Sequence, residues 1–172
     1  LGNGSVLVAG GSVDTNYKKN NLPQVWTGTR WRSLTTALKG LELYPNLHLA
    51  PNGQAFLSGP AAVSRYLDPN GTGHWTTVAT RLGPNRSYGG SVMYDVGKVV
   101  VIGGSDPPIS SAEIIDLNEH APQWRDALGS MAVARRQHNS TLLPDGNILI
   151  TGGTRSPGFN NAGGAIHFAE MW

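Results

Sequence analysis

The sequence predicts an all-β fold built from a repeated unit. One short apolar phrase, bounded by glycine or proline, occurs four times: GSVLVAGG at 4–11, GQAFLSGP at 53–60, GKVVVIGG at 97–104 and GNILITGG at 146–153. The phrase recurs about every 45 to 50 residues, which is a typical length for one blade of a β-propeller. No stretch of the chain shows the sustained 3.6-residue periodicity of a helix, so we expect almost no helix.

Each repeat has the composition of four short antiparallel strands. The first strand precedes a turn that ends in glycine, and it is predicted at 47–49, 91–94 and 141–143. The second strand is the repeated phrase itself, with apolar runs at 6–8, 55–57, 99–102 and 148–150. Because these runs are nearly continuously apolar, we expect both of their faces to be buried.

The third and fourth strands of each repeat follow a variable loop. The third strand is predicted at 23–26, 64–67, 112–117 and 165–172. The fourth strand brings in a tryptophan, at Trp31, Trp75 and Trp124. A large aromatic ring at a repeated position is typical of a packing residue, so we expect these indoles to lie between adjacent blades.

Counting strands predicts about three and a half four-stranded blades of a kelch-like β-propeller. The blade pieces are approximately 1–35, 36–80, 81–130 and 131–172. Propellers close with about four to eight blades, and we expect about seven here. We therefore expect this chain to be a fragment, with the remaining blades supplied by the same parent chain or by a partner chain.

Composition excludes several functional classes. Charged residues make up 14% of the chain and the formal net charge is +2, without the basic patch of a nucleic-acid binder. There is no cysteine, which excludes disulfides and thiolate metal sites within the chain. No apolar run approaches the roughly 18 residues that a membrane span requires. The five histidines are spread over different repeats, and no pair of them shows the spacing of a zinc motif.

Three consecutive segments carry a more specific resemblance. They are RRQHNSTLLPDGNILITGG at 135–153, the segment 86–105 that begins RSYGGSVMYD, and the segment 43–60 that begins LYP. In this order they resemble blades of the kelch propeller of galactose oxidase and glyoxal oxidase. The resemblance implies a secreted copper radical oxidase that oxidises a primary alcohol, aldehyde or sugar with O2 and forms hydrogen peroxide.

The resemblance also implies where the cofactor would be held. Members of this family hold copper with two tyrosines and two histidines, and one tyrosine is crosslinked to a cysteine and carries a radical. By the order of the family's motifs, these ligands fall before Leu1 and after Trp172. We therefore expect copper and the Tyr-Cys cofactor in the parent protein, no catalytic or metal residue within 1–172, and no activity from this segment alone.

Four residues are candidates for the substrate pocket or for hydrogen bonds to the groups around it. Tyr44, Tyr88 and His138 stand near the starts of the first strands, where the resemblance places metal ligands in other blades. Alternatively, they are polar residues that fill the central channel. Arg135 and Arg136 precede the first strand of the last repeat, and one of them could contact a substrate hydroxyl or form a structural pair with Asp126.

A second functional class stays open at this point. A kelch propeller without catalytic activity could bind protein or carbohydrate through its loops, because a fold alone does not specify chemistry. The long polar loops at 14–22, 105–111 and 155–164 would suit that role.

Overall fold

The computed structural model describes residues 1–172 and consists of four small antiparallel sheets that follow one another along the chain. The first sheet contains β1 (Val6–Val8), β2 (Gln24–Trp26) and β3 (Trp31–Ser33), and the second contains β4 (Asn46–Leu49), β5 (Ala55–Gly59), β6 (Val63–Asp68) and β7 (His74–Thr80). The third contains β8 (Gly90–Asp95), β9 (Lys98–Ile102), β10 (Ala112–Asp116) and β11 (Arg125–Asp126), and the fourth contains β12 (Arg136–Leu142), β13 (Ile148–Thr154) and β14 (Glu170–Met171).

The predicted all-β fold is confirmed, and strands adjacent in sequence are adjacent in every sheet. The helical content is one 3₁₀ turn at Ala162–Gly164, and no helix is long and apolar enough to cross a membrane. The last predicted strand is shorter than expected. β14 covers only Glu170–Met171, while Ala165 forms an isolated bridge to Thr154, because the intervening residues leave the sheet.

The third sheet shows why the repeated phrase is apolar throughout. Val99 and Val101 of β9 pack into a cluster with Phe56 of the second sheet. Val100 and Ile102 point the opposite way and pack against β13 of the fourth sheet. Because side chains alternate along a strand, a strand between two sheets needs apolar residues at every position. Burying each of these side chains stabilises the fold by about 1.5–3 kcal/mol.

Two of the three predicted tryptophans lie between sheets, as expected. Trp75 packs against the cluster between the first and second sheets, and its Nε1 donates to the Ala37 carbonyl at 2.8 Å. Trp124 lies between the second and third sheets, and its Nε1 donates to Ser64 Oγ at 3.0 Å. Each of these two indoles therefore has its one polar atom satisfied.

The expectations for the first sheet were wrong in two respects. Trp31 is 54% exposed and does not pack between sheets; its ring centroid lies 5.4 Å from that of Trp26, and the two rings are tilted by 50°. Both Val6 and Val8 of β1 are exposed, and only the intervening Leu7 packs against the neighbouring cluster. The physical reason is the same for both: the second sheet covers one face of this sheet, and these side chains point to the other.

The Gly-Gly pair that closes the third phrase marks a close approach between backbones. Gly103 and Gly104 have φ values of 61° and 78°, in the left-handed region that favours glycine. A Cβ on Gly103 would lie 2.7 Å from the Arg135 carbonyl oxygen, and one on Gly104 would lie 2.6 Å from the Gly89 nitrogen. The Gly104 N–H donates to the Arg135 carbonyl at 2.9 Å. This hydrogen bond links the third sheet to the residue that directly precedes β12 of the fourth sheet.

A buried ion pair stabilises the segment that leads into the third sheet. Arg86 donates to Glu113 Oε1 through Nε at 3.1 Å and through Nη2 at 2.8 Å, and both side chains are almost fully buried. The other carboxylate oxygen accepts from the Leu82 N–H at 2.9 Å. Arg86 Nη1 donates to the Gly103 and Ser111 carbonyls. The attraction within a buried ion pair offsets the cost of removing both charges from water only when the remaining polar atoms also have hydrogen-bond partners.

The fourth sheet repeats this arrangement and corrects one prediction. Arg135 pairs with Glu170, not with Asp126, which lies on the exposed outermost strand β11. Arg135 Nη1 also donates to the Gly152 carbonyl at 3.1 Å, and Glu170 Oε2 accepts from the Ala132 N–H. The fully buried guanidinium requires a buried carboxylate, and β14 provides one.

Replacing the buried indole tests this packing. We expect Trp124→Ala to lower the free energy of unfolding by about 3–5 kcal/mol, because it leaves a large cavity between two sheets. The matched variant Trp31→Ala removes an exposed indole and should cost less than about 1 kcal/mol. Urea denaturation of the two variants measures both values, and equal losses would contradict the packing described here.

Candidate functional site

Three residues at the starts of the first strands share an unusual backbone conformation. Tyr44, Tyr88 and Gln137 have φ values of 56°, 58° and 57°, although none is glycine. Such residues cost of order 1–3 kcal/mol each and persist where the surrounding structure enforces them. Tyr44, Tyr88 and His138 are expected at nearly the same place in their repeats, within about one residue of one another. In the fourth sheet the residue with the same backbone conformation as the two tyrosines is Gln137, next to His138.

Aromatic rings from three segments meet beside these residues. The Tyr44 and Tyr88 ring centroids are 5.8 Å apart, and those of Tyr88 and Phe159 are 5.6 Å apart. The rings border an open cleft of about 390 Å³. We call it the aromatic cleft, and its lining residues are Tyr44, Tyr88, Gly89, Gln137, His138, Asn139 and Phe159. Tyr44 is 71% exposed, so the cleft opens to solvent on that side.

A buried arginine and an acidic residue hold this cluster together. The Arg136 guanidinium lies 5.0 Å from the centroid of the Tyr88 ring, in a cation–π arrangement. Its Nη1 forms an ion pair with Asp106 Oδ2 at 2.5 Å. The hydrogen bond from Arg136, followed by that from the Gly158 N–H, lowers the pKa of Asp106 below its usual value. The carboxylate is thus ionised at neutral pH.

Asp106 also positions the loop that carries Phe159. Both of its carboxylate oxygens lie 3.2 Å from the Gly158 nitrogen, one residue before the aromatic ring. Asp106 belongs to the loop after β9, whereas Gly158 belongs to the loop after β13. One carboxylate therefore joins the loops of two neighbouring sheets at the edge of the aromatic cleft.

His138 is the titratable group of the aromatic cleft that is most strongly perturbed. It is 8% exposed, and neither Nδ1 nor Nε2 has a hydrogen-bond partner. Burial, and secondarily the charge of Arg135, lower the pKa of His138 to about 4. The imidazole is therefore neutral at pH 7 and offers one donor and one acceptor. Buried polar atoms without partners are rare, and they mark a place where a ligand or water can bind.

Comparison with known proteins identifies a curated relative of this chain. Galactose oxidase of Gibberella zeae is 29% identical to the chain over 182 residues, which cover 90% of this chain and 27% of that protein. The chain is a distant homologue of galactose oxidase. No family model matches the chain.

A solved structure supports the same relationship at the level of the fold. A fungal alcohol oxidase of the AA5 family, in complex with copper, superposes with a TM-score of 0.84 at 23% identity. The match covers 98% of this chain and 39% of that chain. The four sheets therefore match part of a propeller like that of galactose oxidase, and the chain spans less than half the length of either relative.

The side chains of this chain do not fit a copper centre. No three His, Cys, Asp or Glu side chains come together where they could hold a metal ion. The unpartnered nitrogens of His138 are the only imidazole atoms in the aromatic cleft, and the chain has no cysteine for a crosslinked cofactor. No step of a copper reaction can be assigned to these residues.

The structure brings three of the four candidate residues together and places the fourth elsewhere. Tyr44, Tyr88 and His138 all line the aromatic cleft. Arg135 does not, because its guanidinium is fully buried and bonded to Glu170 and to backbone carbonyls. The basic residue that contacts the aromatic cluster is its neighbour Arg136.

Sequence reasoning missed Phe159 and Asp106, and it left open which of Arg135 and Arg136 contacts the cluster. Phe159 lies in a loop that the sequence marked only as long and polar, and its aromatic character was the available signal. Asp106 and Arg136 are thirty positions apart in the sequence, and nothing in their local surroundings predicts the contact. Adjacent basic residues alone do not indicate which of the two faces a cleft.

Acidification should destabilise the chain through two buried histidines. Burial also lowers the pKa of His48 to about 4, and its Nε2 lies 2.8 Å from Ser91 Oγ between the second and third sheets. A histidine whose pKa is lower in the folded state binds its proton preferentially when unfolded, so stability is complete above the unfolded pKa of about 6.5 and falls below it. From pH 7 to pH 5 we expect a loss of about 2 kcal/mol for each of His48 and His138.

Urea denaturation at pH 7, 6 and 5 measures this loss. The double variant His48→Gln and His138→Gln should show a much flatter dependence on pH, because glutamine does not titrate. The variant His120→Gln, at an exposed position, should behave as the unmodified chain. An unchanged pH dependence in the double variant would contradict the assignment.

Proposed function

We propose that this chain is the part of a copper radical oxidase propeller that forms one wall of the substrate pocket. The proposed substrate is a primary alcohol, an aldehyde or a sugar carrying such a group. In the overall reaction an alcohol gives two electrons and two protons to O2, and the products are an aldehyde and hydrogen peroxide. The homology with galactose oxidase and the aromatic cleft at the starts of the first strands support this proposal.

The observation that carries the proposal is the composition of the aromatic cleft. The rings of Tyr44, Tyr88 and Phe159 provide apolar surface for the C–H groups of a small substrate. The two phenol groups and the neutral imidazole of His138 add donors and acceptors for its hydroxyl groups. A mostly apolar cleft with a few polar groups is the usual form of a small-molecule site.

Each residue has a part that follows from its contacts. Arg136, held by Asp106, keeps the Tyr88 ring in place. Asp106, through Gly158, keeps Phe159 at the edge of the aromatic cleft. His138 accepts a hydrogen bond from a substrate hydroxyl, because its low pKa leaves a ring nitrogen unprotonated at pH 7. These residues bind and orient the substrate.

In this proposal the oxidation itself depends on residues outside this chain. A bound copper with its radical partner would supply the two-electron oxidation, which ordinary side chains cannot perform. We propose that the copper ligands come from the remaining blades, since this chain brings no donor set together. A protein consisting of residues 1–172 alone should then produce no peroxide from alcohols.

The role of Phe159 can be tested in a copper-loaded oxidase that contains this chain together with the remaining blades. We expect Phe159→Ala to raise KM for the alcohol about two- to tenfold with little change in kcat, because one aromatic contact is worth about 0.5–1.5 kcal/mol. Peroxide formation measured over a range of substrate concentrations gives both constants.

Phe168→Ala is the matched control. Phe168 is also exposed, but its ring lies near Arg135 and outside the aromatic cleft, so its KM should stay unchanged. Equal effects of the two substitutions would contradict the assignment of the pocket. Absence of peroxide from the unmodified, copper-loaded protein would instead favour a propeller that binds ligands without oxidising them.

A further inference from the structure

Two of the five tyrosines are in direct contact, although they belong to different sheets. Tyr44 lies two residues before β4 of the second sheet, and Tyr88 lies two residues before β8 of the third. Their ring centroids are 5.8 Å apart and the rings are tilted by 50°, within the separation of about 4.5–7 Å that aromatic pairs in contact adopt. None of Tyr17, Tyr66 and Tyr94 has another tyrosine ring beside it.

The backbone and the neighbouring side chains hold the two rings together. Both residues have a left-handed backbone conformation, with φ values of 56° and 58°. The Tyr88 ring also contacts the Arg136 guanidinium, 5.0 Å from its centroid, and the Phe159 ring, whose centroid is 5.6 Å away. Groups held next to each other react much faster than groups that must meet by diffusion, so a reaction that joins two tyrosines of this protein should select this pair.

The two phenols are also open to an oxidant and have no competitor nearby. Tyr44 is 71% exposed, and Tyr88 is partly exposed. Thiols and thioethers are common targets of oxidation, but the chain has no cysteine and no methionine lines the aromatic cleft. No tryptophan lines it either. The phenols are therefore the side chains of the aromatic cleft that lose an electron first.

We propose that Tyr44 and Tyr88 form an oxidative modification site, at which a one-electron oxidant joins the two rings in a dityrosine bond. Each phenol loses one electron and its hydroxyl proton, and the two phenoxyl radicals couple through ring carbons adjacent to the C–OH carbon. The C–H proton at each coupled carbon then moves to the oxygen and restores the phenol. Hydrogen peroxide, acting through a haem peroxidase, accepts the two electrons and two protons and becomes two molecules of water.

The bond would link the start of the second sheet to the start of the third at the open side of the aromatic cleft. Joined rings can no longer move independently to admit a ligand, so peroxide would convert an adjustable wall into a fixed one. In the proposed oxidase reaction, hydrogen peroxide is also the product. The inference concerns two phenols in contact, however, and holds whether or not the propeller is an oxidase.

Peptide mapping tests the proposal on a protein that contains this chain, treated with hydrogen peroxide and a haem peroxidase. Trypsin places Tyr44 in the peptide 40–65 and Tyr88 in the peptide 87–98. We expect mass spectrometry to find these peptides joined, with the mass of two hydrogens missing from their sum. The yield should not depend on protein concentration, and the protein should stay monomeric on a denaturing gel, because both rings belong to one molecule.

Conservative variants assign the bond to this pair. Tyr44→Phe and Tyr88→Phe keep the ring and remove the oxidisable phenol, so each should lower the yield of joined peptides and the dityrosine fluorescence by about tenfold or more. The Tyr88 variant also excludes a bond to Tyr94, which lies in the same peptide. Tyr17→Phe is the matched control, because Tyr17 is 77% exposed and has no tyrosine beside it, and it should leave the yield unchanged.

A small oxidant removes the requirement that a peroxidase reach the aromatic cleft. Ruthenium tris(bipyridine), illuminated with persulfate as the electron acceptor, should give the same joined peptides and the same response to the variants. Absence of the joined peptides with both oxidants, or a yield that Tyr88→Phe leaves unchanged, would overturn the proposal. Crosslinking between molecules through Tyr17, in place of the bond within one molecule, would overturn it as well.

Discussion

The buried pair between Arg86 and Glu113 is the contact on which the geometry of the candidate site depends. It joins the segment that enters the third sheet to strand β10, and its remaining hydrogen bonds fix the carbonyls of Gly103 and Ser111. The Gly89 N–H then closes a turn onto the Arg86 carbonyl at 3.0 Å, with Tyr88 inside the turn. The left-handed conformation of Tyr88, and hence the position of its ring, follows from this turn. Removing one partner of such a buried pair typically costs about 3–5 kcal/mol.

In the second sheet the two residues at the corresponding positions have the opposite charges, and they do not form an ion pair with each other. Glu42 precedes Tyr44 by two residues, as Arg86 precedes Tyr88, and Arg65 occupies the position of Glu113 in the register of the sheet. Glu42 instead faces Lys19 at 3.8 Å, and a cleft of about 220 Å³ opens in place of the ion pair. The carbonyls of Ser58 and Pro60 are bonded by Arg81, which arrives from the end of β7. Tyr44 is accordingly the most exposed member of the aromatic cluster.

The features that the sequence predicts well depend on local periodicity. The apolar run of β9 predicts a strand covered on both faces, and the tryptophan spacing predicts Trp75 and Trp124 between sheets. Features that depend on distant contacts were not predictable in the same way. Whether Arg135 or Arg136 contacts the aromatic cluster is decided by Glu170 and Asp106, which lie thirty or more residues away in opposite directions along the chain. Exposure of Trp31 depends on which sheets lie beside it, and the residue itself carries no sign of that.

The shared carboxylate of Asp106 has a consequence for how such a pocket can change during evolution. The loop after β9 and the loop after β13 belong to different repeats, yet one side chain of the first orders the backbone of the second. An insertion in either loop would displace Phe159, even if every residue near the ring were kept. A change in the shape of the aromatic cleft at Phe159 therefore requires compatible changes in both loops, although the two loops belong to different repeats.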